Sequence, residues 1–284
     1  MAHTPAPRKS IRIDGHAHVF LESLPMLENR RYTPTYNALP QDYFKKLKAN
    51  GLNGCLLVQP SFLGTDNDYL LKVLDQAKLT EPDLLVRGVA VLHPTTSMQE
   101  MFGLKKSGIT GIRLNCLARD LPDFESKLWI SFLQQVEELG WHVEVQVEGH
   151  RLPWVIDHLI KTVSRIVIDH FGLPDTSNLS QCKGFNRLKT NTSTTVCVKL
   201  SAPYRVYPEL AVAQAAKACE ILASQLIDTI GPQRLIWGSD WPWTQHEKGQ
   251  HYEDCLQWGN HWYQDQEIRP GNAPEWLMNP DCAG

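Results

Sequence analysis

Residues 11–20 read IRIDGHAHVF, a β-branched run that ends in two histidines one residue apart. Side chains i and i+2 of a strand share a face, so His16 and His18 present two imidazoles to one place. The same design recurs down the chain: a short apolar run, polar groups at its end, then a longer segment of helical spacing. The runs are 11–15 (IRIDG), 54–59 (GCLLVQ), 86–92 (VRGVAVL), 110–115 (TGIRLN), 142–147 (HVEVQV), 165–169 (RIVID), 195–201 (TVCVKLS) and 234–238 (RLIWG). Between them, 40–51 starts with a proline and ends on a glycine, and 66–79 opens with an Asp/Asn cap. Residues 124–140 repeat apolar side chains every three or four positions before a glycine stop. Eight such units in 284 residues average about 35 residues each, close to the minimum for a parallel crossover. The pattern predicts an α/β fold, a closed (β/α)8 TIM barrel rather than an open doubly wound sheet. Residues beyond Trp243, rich in Trp, His, Gln and acidic groups, predict extra C-terminal helices, and the whole of 1–284 reads as a single domain.

A hydrophobic fraction of 42%, a charged fraction of 21% and a net charge of −3 give no field that would gather nucleic acid or an anionic membrane. The expected partner is a small molecule. The seven cysteines stand singly, without a C-x-x-C pair, which is the pattern of a reduced, cytoplasmic protein. MAHTPAPRKS lacks the apolar core of a secretory signal, and no stretch reaches the roughly 18 apolar residues of a membrane span. The sequence leaves self-association into a homo-oligomer open.

In a barrel of this kind reactive groups sit at the carboxyl ends of the strands. Those ends carry His16 and His18, then Gln59 and Ser61, Arg113 and Asn115, Gln146 and Glu148, Asp169 and His170. Lys199 and Ser201 follow with Tyr204 and Arg205 close behind, and Ser239 and Asp240 come last. Polar groups from seven strands would share one mouth. Duller readings stand beside some of these: Arg119 paired with Asp120 or Asp123 on the surface, Arg205 capping a helix, and Cys116 a small buried residue rather than a nucleophile.

The segments DGHAHVF, GIRLNC, VIDHFGLPD, VKLSAPYR and LIWGSDWPWTQHE, in that order, resemble the amidohydrolase superfamily, and within it the branch of pyrone-dicarboxylate, sulfomuconolactone and sugar-lactone hydrolases. The resemblance runs from about residue 11 to 247 and implies that His16, His18, His170 and Asp240 surround the reactive centre. In metal-bearing relatives such positions hold a divalent ion, commonly zinc. A two-metal site needs a bridging ligand at the end of strand 4, where this chain has Arg113, a permanent cation that cannot ligate. One Zn2+ on His16, His18, His170 and Asp240 and no metal at all both remain readings, the metal-free one favoured by the positive charge of nearby arginines. The resemblance further implies that Arg113, Arg119 and Arg205 bind carboxylates of a small anionic substrate, with Ser61, Gln59 and Tyr204 as weaker contacts. Asp240 would then activate water against a lactone carbonyl, the histidines polarising it. A metal-dependent decarboxylase, a zinc sugar lactonase and an idle metabolite-binding barrel are the alternatives.

Overall fold

The structure, a computed structural model, describes residues 11–190, 196–263 and 271–282. Its strands are β1 (Ile13–Ala17), β2 (Gly54–Val58), β3 (Leu85–Ala90), β4 (Ile109–Asn115), β5 (His142–Gln146), β6 (Ile166–Ile168), β7 (Val196–Leu200) and β8 (Leu235–Trp237). They pair in sequence order, all in parallel. Seven lie inside or within one residue of a run predicted above; β1 continues two residues past its run, through His16 to Ala17. Most of the runs overshoot at their polar ends, because the backbone there leaves the sheet. His170, Phe171, Ala202 and Asp240, just past β6, β7 and β8, have φ between 49° and 57°, a left-handed region costly for non-glycine residues and concentrated at functional sites. Thr195, the first residue of the predicted seventh run, lies outside the described residues.

The barrel closes between β1 and the segment that follows β8. Ala17 bridges Trp241 in parallel, Asp240 N donates to His16 O at 2.9 Å, and His18 N donates to Trp241 O at 2.7 Å. Backbones approach closely enough to require glycine on both sides of this seam. A Cβ on Gly15 would lie 2.8 Å from Trp237 O, and one on Gly238 would lie 2.7 Å from His16 Cβ. Gly238→Ala therefore pushes directly on His16. We expect it to cost about 1–3 kcal/mol by overpacking, read from the denaturant midpoint; an unchanged midpoint would contradict the seam.

The helices between strands are α1 (Pro40–Ala49), α2 (Asp68–Thr80), α3 (Met98–Ser107), α4 (Lys127–Glu138), α5 (Leu152–Leu159), α6 (Lys183–Lys189), α7 (Pro203–Val206) and α8 (Val212–Ile230). Ser126 caps α4 through the Trp129 amide. Of the Asp/Asn pair expected to cap α2, Asp66 accepts from the Asp68 amide at 3.2 Å. Asn67 holds the N-cap position, but its side chain bonds Thr65 O, Val91 O and Val91 N and so ties two loops together.

The C-terminal helices are α9 (Tyr252–Tyr263) and α10 (Glu275–Met278). α9 packs against α8. α10 plugs the amino-terminal end of the barrel: Leu277 and Met278 cluster with Ile13, Leu56, Val58, Val89, Val167, Cys197 and Ile236. Burying two such side chains contributes about 1.5–3 kcal/mol each. The interior at this end is thus largely apolar, with buried His142 beside Trp276 as an exception, and the other end is left for chemistry. Among the described residues no helix is long and apolar enough to cross a membrane.

Candidate active site

The seam that closes the barrel also assembles the site. His16 and His18 project from β1 and its end, and Asp240 is hydrogen-bonded beside them through backbone. His16 Nε2 lies 3.2 Å from His18 Nε2, and Asp240 Oδ1 lies 3.5 and 3.6 Å from those two nitrogens. Asp14 fixes the loop that carries Asp240 by accepting from Ser239 N, Ser239 Oγ and Tyr252 Oη at 2.9, 2.5 and 2.8 Å. All of these groups are buried.

The two oxygens of Asp240 differ. Oδ2 accepts from Tyr204 Oη at 2.7 Å and from Arg205 Nε at 3.0 Å, both carried by the single turn α7. Oδ1 has no hydrogen bond among the described residues. Burial alone would raise the pKa of this carboxyl, but the Arg205 guanidinium, bonded to Oδ2, holds it well below the usual range. Asp240 is ionised, with one oxygen held and the other free to accept a proton.

The three histidines are not equivalent. His18 Nδ1 is 2.7 Å from Val58 O, an atom that can only accept, so Nδ1 carries the proton and Nε2 a lone pair. Burial, then neighbouring His16 and Arg113, push its pKa down to about 4, and burial holds His170 well below its ordinary value. His170 Nδ1 meets Ser201 Oγ at 2.8 Å. His16 Nδ1 faces the Lys199 ammonium at 2.9 Å and the carboxylates of Glu144 and Asp169 at 3.3 Å each. Burial and Lys199 press its pKa down, yet the two acids outweigh them and leave it raised.

Beneath the site lies a layer of charge with almost no solvent contact. Lys199 pairs with Glu144 and lies 3.6 Å from Asp169. Arg113 Nη2 pairs with Asp169 at 3.1 Å and donates to Gln146 Oε1 at 2.9 Å. Two cations thus balance two carboxylates, and despite burial both acids are held below their ordinary values.

The expected residues are brought together unevenly. His18, His170, Asp240, Arg113, Arg205 and Ser61 line one cleft at the mouth. His16 is fully buried alongside His18, and Tyr204 is linked to the cleft through Asp240. Gln59 turns away, donating to the carbonyls of Gly64 and Asp66. Arg119 is exposed and does not line the cleft. Cys116 is buried, its thiol pushed up to about 11 by that burial, which leaves no thiolate for nucleophilic attack. Sequence reasoning passed over Glu144 and Arg31. A glutamate inside the apolar run HVEVQV, on the same strand face as Gln146, was a signal that a buried cation must meet it.

Of the four ligands expected for one metal, His170 groups with His16 and Asp169, whereas His16, His18 and Asp240 group together through His16 Nε2, His18 Nε2 and Asp240 Oδ1. Their separations lie close to the about 3.3 Å edge of a zinc tetrahedron with bonds near 2.0 Å. The lone pair on His18 Nε2, its Nδ1–H held by a carbonyl, and the unpaired Asp240 Oδ1 are what a ligand set requires. The donors fit one Zn2+. The ends of β4 and β5 offer Arg113 and Gln146, bonded to each other, and no second-metal ligand.

A family model for amidohydrolases matches residues 13–260. A 2-pyrone-4,6-dicarboxylate hydrolase of Comamonas testosteroni is 28% identical over 240 residues, covering 81% of this chain and 76% of that protein. A 4-sulfomuconolactone hydrolase of Rhizobium radiobacter is 26% identical over 242 residues, covering 81% and 75%. The solved structure of a probable 2-pyrone-4,6-dicarboxylic acid hydrolase from Acinetobacter baumannii, with citric acid bound, superposes with a TM-score of 0.83. It is 33% identical and covers 89% of this chain and 92% of its own.

Proposed function

This chain belongs to the amidohydrolase family, and from that premise we propose that it is a hydrolase that opens a carboxylated lactone of the 2-pyrone-4,6-dicarboxylate kind. The observation that carries the reading is a buried aspartate with one free oxygen, in a cleft lined by arginines. The names of the relatives support an ester-opening reaction, and citrate in a neighbour's structure supports a site for multiply charged carboxylates.

Asp240 Oδ1 takes a proton from water as the water attacks the lactone carbonyl; the tetrahedral adduct then breaks its bond to the ring oxygen, which takes that proton back from Asp240, and Tyr204 and Arg205 hold the other oxygen throughout so that the free one keeps its aim. Charge developing on the carbonyl oxygen needs donors already in place. His170 supplies one when Ser201 donates to its Nδ1, leaving Nε2–H for the cleft. Neutral His18 cannot donate from Nε2, so its part is to accept a proton or to ligate. A zinc ion held by His16, His18 and Asp240 would supply a Lewis acid and acidify bound water. Arg113 and Arg205 orient substrate carboxylates, whose geometry the guanidinium fork matches.

Steady-state ring opening of 2-pyrone-4,6-dicarboxylate, set beside its dimethyl ester, tests the reading. Charge-assisted hydrogen bonds of about 1.5–3 kcal/mol predict a kcat/KM roughly 10- to 100-fold higher for the di-acid. Equal rates on the neutral ester, or no turnover of the di-acid, would overturn it.

A further inference from the structure

Two of the arginines lining the cleft already have a buried carboxylate: Arg113 has Asp169 and Arg205 has Asp240. Arg31 lines the same cleft and has none among the described residues. Its one hydrogen bond to a described residue runs from Nη2 to Asn115 Oδ1 at 3.2 Å. Asn115 in turn donates to the Gln146 oxygen that Arg113 also uses, so the two guanidiniums share one polar frame.

Arg31, exposed at the rim, is carried by a chain segment that folds back over the mouth. Phe20 and Ala38 pair through both backbone bonds at the base of that segment, and Leu27 N donates to Phe62 O. The next residue, Tyr32, donates with Tyr36 to Glu247 in the loop after β8. Partial burial, then the like charges of Arg119, Arg113 and Arg205, press the pKa of Arg31 below the usual arginine value. Glu148 opposes them only from beyond ion-pair distance, and a cation so crowded is relieved by an incoming anion.

We infer that Arg31 is a specificity residue that binds a second carboxylate of the substrate, so that the enzyme selects di-acid over mono-acid lactones. The inference rests on the proposed lactone hydrolysis. Arg31 acts on binding and not on the reacting bond, so its loss falls on KM.

The test compares wild type, Arg31→Gln and Arg31→Lys on 2-pyrone-4,6-dicarboxylate and on the 4- and 6-monocarboxylates, with citrate affinity measured by calorimetry. Loss of one charge-assisted contact predicts a KM for the di-acid raised about 10- to 100-fold in Arg31→Gln, with kcat within about 2-fold. One mono-acid loses as much as the di-acid and the other loses nothing, citrate binds about 10-fold more weakly, and Arg31→Lys recovers part of each effect. Equal losses on both mono-acids, a fall in kcat alone, or unchanged KM and citrate affinity would overturn the assignment. If wild type opens none of the rings, the hydrolase reading fails; the citrate titration still decides whether Arg31 binds a carboxylate.

Discussion

Asp240→Asn lowers kcat by about 10²- to 10⁴-fold, the range for loss of a positioned general base, while the protein stays folded. The amide is nearly isosteric, and its oxygen can still accept from Tyr204 and Arg205 as Oδ2 does now. What disappears is the free Oδ1 facing the histidine nitrogens. Circular dichroism and kcat on the same preparation make the measurement, and a variant that keeps more than a tenth of wild-type kcat would remove Asp240 from the proton's path. The wild-type pH profile follows from the same environment. The base works deprotonated, and Arg205 holds its pKa well below the ordinary carboxylate value despite burial. Rate is therefore lost only as pH falls below the usual carboxylate range near 4.

Lys199→Met destabilises the protein by about 3–5 kcal/mol, the cost of breaking a buried ion pair from one side. Met fills similar space but leaves Glu144 and Asp169 facing each other with Arg113 as the remaining cation of the layer. Adding Glu144→Gln to Lys199→Met recovers part of the loss, because the unpaired charge is then gone; a double variant as unstable as the single one would contradict this. The pH dependence has a definite sign. Glu144 and Asp169 have lowered pKa values in the fold, so their contribution is present above the ordinary carboxylate range and fades as pH falls through it. The gap between wild type and Lys199→Met consequently narrows in acid.

The parts of this protein legible in its sequence are those written within a few residues. Alternation places His16 and His18 on one face, and eight β-branched runs at regular spacing announce the barrel. Asp240 stands out because it follows an apolar run that ends in glycine. The remainder depends on partners far apart in the chain. Lys199 was visible as a strand-end residue, but its position between Glu144, 55 residues away, and His16, 183 residues away, was not. Gln59 looks like a mouth residue by position, yet the loop it supports draws its amide to Gly64 and Asp66. Arg31 sits in a segment without periodicity, and only the fold brings it to Asn115. The role of α10 likewise came from burial: a four-residue helix has too little pattern to show that its apolar side chains plug a barrel.

The most direct measurement of the central claim is the fate of oxygen and carbon when the purified protein acts on 2-pyrone-4,6-dicarboxylate in 18O-water. Hydrolysis at the lactone carbonyl predicts a ring-opened product that keeps every carbon and carries one solvent oxygen in its new carboxylate. Release of carbon dioxide, or an isomeric product without the label, would contradict the account.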